Sequence, residues 1–104
     1  MIKCEPTKSG DKVRVTFALP AGDGDGAVAV VGDFNRWNPN ANPLRTRESM
    51  RSVTITLTAG RRYAFRYRKE NGEWFNDDGA DAFEPNEWGD VNSIVDLTHY
   101  RAVS

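Results

Sequence analysis

The chain has 104 residues and a formal net charge of −1 at pH 7, enough for one domain with one modest hydrophobic core. The charge balance lacks the basic surplus that a nucleic acid or an anionic membrane surface demands of its partner. The longest apolar run, AVAVV at residues 27–31, is far too short to cross a bilayer. The opening MIKCEPTKSGDK has no apolar stretch of the kind a secretory leader carries. These features together point to a soluble, cytoplasmic chain.

Residues 1–10 carry no sustained pattern and are expected to form an N-terminal tail. At residues 13–19, Val13, Val15, Phe17 and Leu19 alternate with Arg14, Thr16 and Ala18, which predicts a half-buried strand ended by Pro20. AGDGDG at residues 21–26 reads as a loop of turn formers. Residues 27–31 predict a short strand covered on both faces. Residues 33–52 are polar, marked by proline, and are expected to be irregular.

Val53, Ile55 and Leu57 alternate with Thr54, Thr56 and Thr58, a strand pattern of high β-propensity. Ala59 and Gly60 make the turn after it. Tyr63, Phe65 and Tyr67 alternate with Ala64, Arg66 and Arg68. Asn71-Gly72 marks a hairpin tip, and Trp74-Phe75 opens the return strand. Residues 76–92 are expected to be irregular, and loops of such length in a compact domain are often functional. SIVDL at residues 93–97 is the last strand, and residues 99–104 read as a C-terminal tail. Short strands with frequent turns predict an all-β sandwich of antiparallel sheets over residues 11–98.

Charge is placed unevenly. Arg61, Arg62, Arg66, Arg68 and Lys69 share one hairpin arm. Asp77, Asp78, Asp81, Glu84, Glu87 and Asp90 follow with no basic residue among them. Solvated faces that neutralise each other across neighbouring strands account for this pattern.

Residues able to support catalysis are sparse. Cys4 is the only cysteine and His99 the only histidine, so no disulfide framework or cysteine-built metal site is expected. A histidine beyond the last strand lacks the rigid setting that a nucleophilic triad requires. The acidic stretch could offer two carboxylates for glycoside hydrolysis, with Asp78 and Asp81 as candidates, but nothing near it suggests an apolar pocket. Calcium is disfavoured because NDDGAD lacks EF-hand ligand spacing. No metal or cofactor is expected, and no catalytic residue is assigned.

The three tryptophans are more informative. Trp37 lies in NRWNP, Trp74 follows the Asn71-Gly72 turn, and Trp88 lies in PNEWGD. A core indole normally sits within an apolar strand, yet all three here have polar neighbours. An indole at the surface suits the C–H face of a pyranose ring, while nearby Asn, Arg and Asp bond the hydroxyls. A protein-contact surface would use the same residue types.

VVGDFNRWNP (residues 30–39), YAFRYRKENGEWFND (residues 63–77) and GDVNSIVDL (residues 89–97) resemble, in that order, three segments of one family. It is the glycogen-binding module of the AMP-activated protein kinase β subunit and the isoamylase N-terminal-like early-set domains of branching and debranching enzymes, carbohydrate-binding module family forty-eight. The resemblance spans residues 11–98 and implies an immunoglobulin-like, early-set β-sandwich that binds α-1,4-glucans of the glycogen and starch type without catalysis. By resemblance, Trp37 and Trp74 are the sugar-stacking indoles. Arg66 stands where the family has a lysine, and Asn92 matches its hydroxyl-binding asparagine. Trp88 and Asp90 replace a leucine and a threonine that touch the sugar, and the hairpin is longer at Lys69-Glu70. The alternative is a protein-interaction or regulatory module that keeps the fold and docks an enzyme of glycogen metabolism.

Overall fold

A computed structural model describes residues 1–22 and 26–100. The centre of the expected 21–26 loop and the last four residues of the expected C-terminal tail lie outside the described residues. In chain order the strands are β1 (Ile2–Pro6), β2 (Lys12–Pro20), β3 (Val28–Gly32), β4 (Arg45–Arg47), β5 (Met50–Thr58), β6 (Arg62–Lys69), β7 (Trp74–Phe75), β8 (Ala82–Pro85) and β9 (Val91–Asp96). One sheet runs β1-β2-β5-β4 and the other β3-β6-β9-β8, with β7 paired to β6. All the pairings are antiparallel. The chain is an all-β sandwich of the immunoglobulin-like, early-set kind. Among the described residues no helix is long and apolar enough to cross a membrane.

The two-residue alternation decides which side chains meet. Register pairs Val13 with Leu57, Val15 with Ile55 and Phe17 with Val53, so these six share the inner face of the first sheet. The opposing sheet contributes Tyr63, Phe65 and Tyr67 from β6, and Val95 from β9. Phe17 meets Phe65 across the sandwich at 4.9 Å between ring centroids, and Phe65 meets Tyr67 at 5.7 Å, both edge-on. Full burial of each such side chain contributes about 1.5–3 kcal/mol.

β3 is buried along its whole length, as its unbroken apolar run requires. Its outer edge is covered because the Val30 amide donates to the Asn42 carbonyl and the Leu44 amide to the Val28 carbonyl. The 42–44 segment thereby closes an otherwise open sheet edge.

Three strands depart from expectation. Residues 2–6, expected within a tail, form the outer strand β1 in register with residues 13–17 of β2. β4 and β8 fall in the two stretches expected to be irregular. All three lie at sheet edges and carry charge or proline (IKCEP, RTR, AFEP). Edge strands favour such residues to avoid pairing with other chains, and this hides their periodicity.

Candidate functional site

The loop after β3 is shaped by four consecutive residues. A Cβ on Gly32 would lie 2.4 Å from the Ala64 carbonyl oxygen and 2.8 Å from the Phe65 Cβ, so only glycine allows β3 this close to β6. Asp33 accepts the Ala64 amide at 2.8 Å through Oδ2 and the Trp37 indole N–H at 3.0 Å through Oδ1. Phe34 turns back onto Phe17, with ring centroids 5.5 Å apart. Asn35 accepts the Gly32 amide at 3.0 Å and donates to the Val30 carbonyl and the Asn42 side chain. The loop then turns through Arg36 and Trp37, both at φ 57°, a region that costs a non-glycine residue of the order of 1–3 kcal/mol. The Trp37 amide donates to the Gly32 carbonyl at 2.9 Å. The result is a half-buried indole fixed above the outer face of the second sheet.

The hairpin brings a second indole to that face. Arg68 pairs with Trp74 in register, so both point outward with Arg66, two residues away on the same strand. The Trp74 ring has the Arg66 and Arg68 guanidinium carbons 5.9 and 5.6 Å from its centroid, within cation–π range. The hairpin tip follows Lys69 and ends before Trp74. There the Gly72 amide donates to the Lys69 carbonyl and Lys69 pairs with Glu73 at 3.4 Å.

The third indole stands on the turn between β8 and β9. Asn86 organises it. Its Oδ1 accepts the amides of Trp88 at 2.9 Å and Asp90 at 3.1 Å, and its Nδ2 donates to Asn92 at 3.1 Å. The Asn86 amide donates to the Asp90 carbonyl at 2.8 Å, and Gly89 takes φ 81° to complete the turn. Trp88 is left 83% exposed.

These elements enclose a groove of about 800 Å³ lined by Asp33, Trp37, Arg66, Trp74, Asn86, Glu87, Trp88 and Asn92. Five of the six residues expected at a carbohydrate site are therefore lining residues. Asp90 does not line the groove but pairs with Arg66, Oδ2 to Nη2, at 3.1 Å. A hydrogen bond from the Val91 amide, followed by the Arg66 guanidinium, holds the Asp90 carboxyl below the usual carboxylate range. Arg66 Nε is buried and has no hydrogen-bond partner.

The sequence matches carbohydrate-binding module 48, the isoamylase N-terminal domain, over residues 6–83. The chain belongs to this family. No curated protein matches it. The family is a binding module and is not catalytic by itself. The matched span of this carbohydrate-binding module holds Trp37, Arg66 and Trp74 and ends before Trp88, Asp90 and Asn92. Trp88 and Asn92 join the groove through the fold, and Asp90 stands beside it on Arg66.

Asp33, Asn86 and Glu87 were not expected at the groove. Asp33 follows the strand that ends at Gly32 and is four residues before Trp37, which is the offset its indole bond uses. The Pro85-Asn86 pair, with Gly89 after it, is a turn signature in which an asparagine side chain mimics a backbone acceptor. Glu87 gives no signal of this kind.

The remaining polar candidates serve the fold. Asp77 is buried, accepts the Tyr67 hydroxyl at 2.6 Å and the Gly79 amide at 2.8 Å, and donates its own amide to the Ser93 hydroxyl. Asp81 accepts the Asp96 amide at 2.7 Å. Arg62 pairs with Glu84 at 2.9 Å and with Asp96 at 3.7 Å, so opposite charges meet across strands. Cys4 packs against the core, and burial, with the Asp81 charge, pushes its thiol pKa up. His99 is exposed and rests on Tyr100 at 4.2 Å. Among the described residues no group of three or more His, Cys, Asp or Glu could hold a metal ion.

Proposed function

We propose that this module binds α-1,4-glucan of the glycogen and starch type without catalysing a reaction on it. Trp37 and Trp74 stack on consecutive glucose units, Arg66 and Asn92 bond hydroxyls, and Trp88 closes one end. The observation that carries this reading is the gathering of three indoles, from the loop after β3, from β7 and from the turn between β8 and β9, into one groove with Arg66, Asn86 and Asn92. Flat apolar plates separated by hydrogen-bonding groups match the two kinds of surface on a pyranose ring.

Two further features support it. The Trp37 indole is held by Asp33 and the Trp74 indole by the Arg66 and Arg68 guanidiniums, so little conformational freedom of these two is lost on binding. The Arg66 side chain is 14% exposed, and its guanidinium is the charged donor among the lining residues. An open groove of this kind is expected to bind with a Kd of roughly micromolar to millimolar.

Affinity electrophoresis through a gel containing amylopectin tests the proposal. Retardation that free maltodextrin relieves is the expected result. Migration unaffected by amylopectin would overturn it, and retardation that maltodextrin leaves in place would point instead to protein or matrix contacts.

A further inference from the structure

We infer that Asp90 restricts the groove to uncharged glucans and excludes phosphorylated ones, by neutralising the Arg66 guanidinium that lines it and would otherwise receive a phosphate. This rests on the glucan reading above and specifies its substrate class. A partly buried arginine beside an indole is a ready receptor for a phosphate monoester, because its planar fork matches the oxygens and its charge is permanent. In this groove that receptor is already occupied. Asp90 Oδ2 lies 3.1 Å from Arg66 Nη2, and the Arg66 side chain is 14% exposed.

Asp90 is fixed in that position at three atoms. Its amide donates to Asn86 Oδ1, its carbonyl accepts the Asn86 amide, and its Oδ1 accepts the Val91 amide at 2.8 Å. Withdrawing the carboxylate from Arg66 would break its bond to the Val91 amide. Asp33 and Glu87 also line the groove, so with Asp90 three carboxylates stand at or beside it. Arg68, stacked on Trp74, is a further cation beside the groove. Lys69 and Arg62 are each paired with carboxylates.

A doubly charged ester entering the groove would meet this field within one screening length, about 8 Å at physiological ionic strength. It would also have to displace Asp90 to reach Arg66. A neutral hydroxyl meets neither obstacle. It can accept from a guanidinium N–H and donate to a carboxylate oxygen, so the same charges that repel phosphate suit a polyol.

The test uses maltoheptaose and a phosphate monoester of maltoheptaose, titrated into the wild-type chain and Asp90→Asn at low salt. Asparagine keeps the Oδ1 acceptor for the Val91 amide and removes the charge. The wild type should bind the ester at least about tenfold more weakly than the neutral sugar, about 1.4 kcal/mol, and high salt should narrow the gap. Asp90→Asn should lower the ratio of the two Kd values by a similar factor. Equal wild-type affinity for the two ligands, or a ratio unchanged in Asp90→Asn, would overturn the inference while leaving glucan binding intact. Absence of binding to either ligand in the wild type would overturn the glucan reading itself and this inference with it.

Discussion

The Asp33 carboxylate accepts the Trp37 indole N–H at 3.0 Å, and its other oxygen accepts the Ala64 amide at 2.8 Å. One side chain therefore ties the loop to β6 and sets the plane of an indole in the groove. Asp33→Ala removes both bonds. It should cost about 0.5–1.5 kcal/mol of stability for each exposed bond lost, and weaken glucan binding several-fold. Asp33→Asn, which keeps one carbonyl acceptor, should lose less of both. Thermal melts and glucan titrations of the two variants check this. Equal behaviour of Asp33→Ala and wild type would show that the indole is held by other means.

Gly32 is set by close approach, since its φ of −168° is open to any residue. The obstacle is the Ala64 carbonyl oxygen, 2.4 Å from where a Cβ would sit. Gly32→Ala must part β3 from β6, and overpacking of this kind costs about 1–3 kcal/mol. Urea unfolding should show a lower midpoint with an unchanged slope. An unchanged midpoint would mean that β3 shifts at no cost.

Tyr67 donates to the buried Asp77 at 2.6 Å. Burial, then the hydrogen bond and charge of Asp77, holds the Tyr67 hydroxyl well above the usual tyrosine range. The folded chain thus keeps this proton at pH values where the unfolded chain, with a tyrosine pKa of about 10, releases it. Above that pH the unfolded state binds fewer protons, so stability falls as pH rises. Below it, Tyr67→Phe should cost about 1–3 kcal/mol by stranding a buried acceptor. The difference between wild type and Tyr67→Phe should then shrink as pH rises above about 10, since the variant lacks the ionising group. Chemical denaturation at neutral and alkaline pH measures it, and a constant difference would contradict the linkage.

Asn86 holds the amides of Trp88 and Asp90 and bonds Asn92. The turn it organises is mostly exposed, so Asn86→Ala should change stability by only about 0.5 kcal/mol, as for surface positions. Glucan affinity should fall several-fold because Trp88 and Asn92 lose their common support. An affinity equal to wild type would remove Asn86 from any part in positioning the groove.

How legible this was depended on the kind of residue. β2, β5 and β6 could be read because each buries one face, which forces a strict two-residue alternation in Val13–Val15–Phe17 and Tyr63–Phe65–Tyr67. β1, β4 and β8 could not, because edge strands carry charge and proline for reasons unrelated to the core. At the groove, Trp37 and Trp74 stood out as indoles in polar settings. Asp33 and Asn86 act through hydrogen bonds to the backbone and to their neighbours, and they resemble ordinary loop residues until the fold shows what they hold. Asp90 was expected at the sugar, and the fold adds its pairing with Arg66, which the sequence did not signal.

The most direct measurement is a titration with maltoheptaose followed by tryptophan fluorescence, on the wild type, Trp37→Ala and Trp74→Ala, with melts to show that each variant is folded. The wild type should give a saturable change with a Kd of roughly micromolar to millimolar, and each variant should weaken it by more than about tenfold. A wild-type signal flat up to about ten millimolar ligand, or a folded Trp37→Ala that binds as the wild type does, would contradict glucan binding by this groove.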